Sequence, residues 1–125
     1  MNNSSINVLI VDDEISIRTS ISEFLQDFDY QVDSAESAEI ALEMISAKKY
    51  NVVIVDLRLP GMSGDLLIIR SSEIDPAIKF LIHTGSVEFA LSEDLVKLGM
   101  TKGNIFLKPM PDLMKICDYI DKITK

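Results

Sequence analysis

Short apolar runs rich in β-branched residues recur along this chain, each followed by a stretch whose apolar residues repeat at helical spacing. Residues 8–11 (VLIV), 52–55 (VVIV), 80–82 (FLI) and 105–107 (IFL) contain no polar member. A strand with one wet face alternates, whereas an uninterrupted run of this length is buried on both faces, as in a parallel sheet. Between the runs, Ile17, Ile21, Phe24, Leu25 and Phe28 form one helical stripe. Ala38, Ala41, Leu42 and Ile45 form a lighter one, and Leu91, Leu95 and Leu98 a thin one. The pattern predicts strands near 6–11, 30–34, 51–56, 78–83 and 104–108, with helices near 15–28, 37–48, 64–74, 87–98 and 111–123. Ser37 suits an N-cap of the second helix and Pro111 the first turn of the fifth. Alternating βα units with short connections imply right-handed crossovers and an α/β doubly wound sheet. Periodicity leaves the strand order open.

At 125 residues the expectation is one domain, long enough to bury a core without disulfides or a metal staple. No apolar run approaches the length of a membrane span, and nothing resembles a signal peptide. The single cysteine, Cys117, excludes an internal disulfide, and its apolar helical neighbours suggest a buried thiol. These features lead to the expectation of a cytoplasmic protein with no membrane contact. A net charge of −8 opposes direct binding to nucleic acid.

Polar residues end the apolar runs. Asp12 and Asp13 follow the first, Asp56 the third, Thr84 the fourth and Lys108 the fifth. Ligands of open parallel α/β sheets bind beyond the carboxyl ends of the strands, where these side chains converge. Helix capping explains one aspartate of the first pair, but two beside Glu14 crowd like charge. If Asp56 faces that pair, three carboxylates repel, and one tends to stay protonated unless cations compensate. Mg²⁺, a hard ion that takes carboxylate and carbonyl oxygens, is the economical remedy. Lys108 and Thr84 then offer a fixed cation and a hydroxyl donor to phosphoryl oxygens, although Thr84-Gly85 also reads as a helix start and Lys108 as an ordinary strand-end lysine. An aspartate can itself serve as the nucleophile, forming an acyl phosphate.

The motifs DDE at 12–14, VDLRLPGMSG at 55–64, HTGS at 83–86 and the Lys108-Pro109 pair together resemble the response-regulator receiver domains of two-component signalling. That resemblance covers nearly the whole chain, is to the stand-alone, chemotaxis-regulator type, and implies that residues 1–125 form a single receiver domain. It implies a flavodoxin-like five-stranded sheet in order 2-1-3-4-5 with five helices. It also implies phosphoryl transfer to Asp56 from a sensor histidine kinase or phosphotransfer protein. By the same resemblance, Asp13, Asp56 and the main-chain carbonyl of Arg58 hold Mg²⁺, with Asp12 acting mostly through water. Lys108 pairs with the phosphoryl group and Thr84 moves to bond it. The expected readout is a switch of the surface formed by helix four, strand five and helix five, which controls binding to a downstream protein. Such a domain is a phospho-acceptor rather than an enzyme in the usual sense, and is expected as a monomer or weak dimer. The chain ends just past helix five, which fits either a stand-alone regulator or the receiver part of a larger one.

One departure stands out. The family commonly places an aromatic residue three positions before the strand-five lysine, where this chain has Ile105, with Phe106 next. Side chains alternate along a strand, so Phe106 is expected on the opposite face from Ile105. The LGMTKGN segment ahead of that strand is also longer than in compact chemotaxis-type regulators. His83, the only histidine, should point away from Thr84 and read as a packed side chain, while Arg58 sits at the mouth of the rim. Three rivals remain open. An FMN carrier of the same architecture would want a hydroxyl- and glycine-rich loop where VDDEIS stands. A Mg²⁺-dependent aspartyl-phosphate phosphatase would carry its Asp-x-Asp after the first strand. A receiver-like scaffold could bind partners without phosphorylation.

Overall fold

The computed structural model describes residues 3–85, 91–108 and 112–124. Five strands, β1 (Asn7–Val11), β2 (Gln31–Ala35), β3 (Val52–Val55), β4 (Lys79–Thr84) and β5 (Ile105–Leu107), form one parallel sheet in the order β2-β1-β3-β4-β5. Helices α1 (Ile15–Asp27), α2 (Ala38–Ala47), α3 (Gly64–Ile74), α4 (Glu93–Lys97) and α5 (Met114–Thr124) connect or follow the strands. The order is the one the family resemblance implied.

Strand position explains strand composition. β3 is central and every one of its residues is buried, as are all of β1 except Asn7. β2, at an edge, is mostly polar and only Ala35 is buried. Registers Val8↔Val52 and Leu9↔Val53 align the alternating side chains into two cores. Val8, Ile10, Val52, Ile54 and Leu81 pack against Ile21 and Leu25 of α1 and Ile116, Cys117 and Ile120 of α5. On the other face Leu9, Val11, Val53, Val55 and Ile82 meet α2, α3 and α4 through Ala41, Ile45, Leu67, Ile68 and Leu95. Each fully buried Leu, Ile or Val contributes about 1.5–3 kcal/mol, so the sheet is held from both sides. Cys117 is a buried thiol as expected, and burial followed by the nearby Asp118 pushes its pKa up to about 11, leaving it unreactive.

Helix ends follow local chemistry. Ser37 caps α2, accepting from the Ile40 N–H at 3.2 Å. Ser63 and Ser92 do the same for α3 and α4. The start of helix four therefore differs from expectation, because Leu91 lies outside the helix, before its Ser92 cap. Leu98 is its C-cap and is 45% exposed, so only Leu95 of the predicted stripe is buried. Gly99, at φ +90°, closes α4 in a left-handed turn, with the Met100 N–H on the Leu95 carbonyl. The predicted segment 87–90 and Pro111 lie outside the described residues, and α5 starts at Met114. The long LGMTKGN segment is accommodated by a 3₁₀ turn at Lys102–Asn104 with a Thr101–Asn104 capping box.

Candidate functional site

Because all five strands run in one direction, their carboxyl ends share a rim. β1 and β3 are neighbours in the sheet, which brings Asp12, Asp13 and Asp56 together, with ligand oxygens all within 4.8 Å of one another. Asp12 and Asp56 are buried at 2% and 5% exposure, while Asp13 faces solvent. Neither Asp12 nor Asp13 caps α1, whose N-cap is Glu14 with no side-chain capping bond. Instead Asp12 Oδ1 accepts the Glu14 N–H at 2.9 Å, and Asp56 Oδ1 accepts the Arg58 N–H at 3.1 Å. Each bond bends the chain sharply after its strand. Three carboxylates in one space are the donor set that a hard divalent ion requires, and Mg²⁺ fits it.

Lys108 crosses the sheet to this cluster. Its Nζ lies 2.8 Å from Asp12 Oδ2 and 3.1 Å from Asp56 Oδ2, with Glu14 Oε1 at 3.8 Å. Burial by itself would lower the lysine pKa, but the hydrogen bonds and charges of Asp12 and Asp56 outweigh it and raise the value. The ammonium therefore stays charged and offsets the local negative charge. Thr84 is fully buried at the end of β4, and its carbonyl accepts the Lys108 N–H at 2.7 Å. Arg58 is exposed at the rim, as expected of its position.

Several further residues around the rim were given no role at the site by the sequence, although His83 was expected to be packed. Arg18 of α1 donates from Nη1 to the Asp12 carbonyl at 2.7 Å, tying the helix to the acidic turn. Gly64 allows α3 to start against the site, since a Cβ there would sit 2.6 Å from the Asp56 carbonyl oxygen. Glu39 of α2 accepts the Met62 N–H at 3.3 Å and steadies the loop after Asp56. His83 is buried, and both its ring nitrogens lack a hydrogen-bond partner. Burial, then the Lys108 charge, lowers its pKa, only partly opposed by Asp12 and Asp56. With Lys108 it lines a cleft of about 570 Å³ against Ile17, Ile21 and Leu113.

A family model for the response regulator receiver domain matches residues 8–121. The chain belongs to that family. It is a receiver domain of the two-component response regulators, a class phosphorylated on aspartate with Mg²⁺. Sporulation initiation phosphotransferase F of Bacillus subtilis is 30% identical over 115 residues, spanning 92% of this chain and 90% of the relative. The transcriptional regulatory protein ZraR of Escherichia coli (strain K12) is 29% identical over 88% of this receiver domain, which spans only 24% of ZraR. Among solved structures, a CheY-like receiver domain protein from Methanospirillum hungatei JF-1 superposes with TM-score 0.76 at 27% identity, covering 95% of this chain and 96% of that one. A response regulator from Burkholderia pseudomallei, solved with a phosphorylated aspartic acid, a calcium ion and citrate, gives TM-score 0.79 at 26% identity, covering 95% and 71%. Among the described residues no helix is long and apolar enough to cross a membrane.

Proposed function

We propose that Asp56 is the phospho-acceptor of this receiver domain, and that residues 1–125 act as a single phosphorylation-controlled signalling unit in the cytoplasm. The observation that carries this reading is the buried Asp56 carboxylate at the centre of the rim, beside Asp12 and Asp13 and paired with Lys108. The donor is a phosphohistidine on a sensor histidine kinase or phosphotransfer protein. An Asp56 carboxylate oxygen attacks phosphorus, the new O–P bond forms as the P–N bond breaks, and the departing imidazole keeps the electron pair and takes up a proton. Asp13, Asp56 and the Arg58 main-chain carbonyl would hold Mg²⁺, with Asp12 acting mostly through water, and the ion would supply positive charge to the phosphoryl oxygens. Lys108 Nζ, already at Asp56 Oδ2, passes to the incoming phosphoryl oxygens, and the Thr84 hydroxyl bonds the product. The phosphorylated domain then alters the surface of helix four, strand five and helix five that a downstream protein contacts.

Intact mass after incubation with acetyl phosphate and Mg²⁺ tests the reading. One phosphoryl group on wild type is expected, with none on Asp56→Asn and none in EDTA. An undiminished adduct on Asp56→Asn overturns it.

A further inference from the structure

We propose that phosphorylation is relayed to α5 by the Phe106–Tyr119 ring contact, on the sheet face opposite Ile105. The inference rests on Asp56 being the phospho-acceptor. Ile105 packs into the core shared with α2, α3 and α4, whereas Phe106 packs into the core shared with α1 and α5. There its ring meets Tyr119 of α5 edge-on, with centroids 5.5 Å apart and planes at 70°. An edge-to-face pair holds its partners in a defined relative orientation, unlike a plain aliphatic contact. The Asn104 amide, beside Tyr119, also donates to the Phe80 carbonyl at 2.9 Å, so the start of β5 is tied to both β4 and α5.

The other end of β5 is tied to the chemistry. β5 is a three-residue edge strand, with a neighbour on one side only. Lys108 follows it directly and stands two residues from Phe106, on the same side of the strand. Its ammonium is shared between Asp12 and Asp56. A phosphoryl group on Asp56 converts a carboxylate of one negative charge into an acyl phosphate carrying about −1.5 to −2, so one of those two partners gains up to about one further negative charge. Lys108 then shifts toward Asp56, and a short edge strand follows its anchor more readily than a central one. Phe106 carries that displacement to Tyr119 and so to α5. On the opposite side of β5 the side chain is the aliphatic Ile105.

The test uses the isotopically labelled full chain with Mg²⁺ and acetyl phosphate, reading backbone amide shifts across Ile116–Ile123 while intact mass reports phosphorylation. Wild type is expected to shift in α5. In Phe106→Leu these shifts fall to about half or less at unchanged phosphoryl content, and Ile105→Val leaves them intact. Tyr119→Leu, which removes the ring from the half-buried helix side, gives the same loss should Phe106→Leu fold poorly. Full α5 shifts in fully phosphorylated Phe106→Leu or Tyr119→Leu overturn the relay alone. A wild-type chain that takes no phosphoryl group overturns the acceptor reading, and the relay with it.

Discussion

The Lys108 ammonium is bonded at once to Asp12, at 2.8 Å, and to Asp56, at 3.1 Å, so one lysine just past the edge strand β5 joins the ends of β1 and β3. Losing it leaves buried carboxylates without a cation. Lys108→Met is expected to cost about 2 kcal/mol at neutral pH, and Mg²⁺ to restore more stability to the variant than it adds to wild type. Because folding raises the lysine pKa, its contribution is complete below the ordinary lysine range and fades as pH rises through the folded value. Urea unfolding with and without Mg²⁺ at neutral and alkaline pH checks both statements.

His83 acts in the opposite pH direction. Burial keeps the imidazole neutral in the fold, whereas the unfolded chain binds a proton below the ordinary histidine pKa. Stability from this group is present above that value and is lost as pH falls toward the lowered folded one. His83→Leu also removes two unpaired buried nitrogens and is expected to be neutral or stabilising by about 1 kcal/mol. Its denaturation midpoint should fall less than that of wild type between neutral and mildly acidic pH.

Gly64 is required by proximity rather than by backbone angle. A methyl group there would meet the Asp56 carbonyl oxygen at 2.6 Å and the Leu57 Cα at 2.8 Å, both main-chain atoms that cannot rotate away. Gly64→Ala is expected to destabilise by about 1–3 kcal/mol and to slow phosphorylation by acetyl phosphate, because relief requires moving the turn that carries Asp56. Thermal unfolding and the rate of adduct formation measure the two effects.

Asp29 ends α1 in a left-handed conformation, φ 71°, with the Tyr30 N–H on the Leu25 carbonyl. Glycine meets that geometry without a Cβ penalty. Asp29→Gly is expected to raise stability by up to about 1 kcal/mol, read as a higher melting temperature with unchanged phosphorylation.

The central strands and the rim were legible in the sequence because their signals are local. VLIV and VVIV are buried on both faces, and Asp12, Asp13 and Asp56 follow them directly. IFL, which precedes Lys108, is not doubly buried as its composition suggested, because β5 lies at the sheet edge with Leu107 45% exposed. Helix four was less so: Leu91, Leu95 and Leu98 have helical spacing, yet the helix is bounded by the Ser92 cap and the Gly99 turn, leaving Leu91 and Leu98 outside it. Hydroxyl caps at Ser63 and Ser92 were readable signals that apolar periodicity overshadowed. The end of α1 lacks the usual glycine, so no composition cue marked Asp29. Sharing of Lys108 between two carboxylates, the reach of Arg18 to the Asp12 carbonyl and the Phe106–Tyr119 contact depend on tertiary placement that no window of sequence contains. Alternation along β5 did anticipate that Phe106 and Ile105 would face opposite cores.

The acceptor assignment is tested most directly by trapping the acyl phosphate in place. Borohydride reduces an aspartyl phosphate to homoserine, and peptide sequencing by mass spectrometry then locates it. After treatment with acetyl phosphate and Mg²⁺, homoserine is expected at position 56 and at neither 12 nor 13. Homoserine at position 12 or 13, or none in a chain that carries a phosphoryl group, would contradict the account.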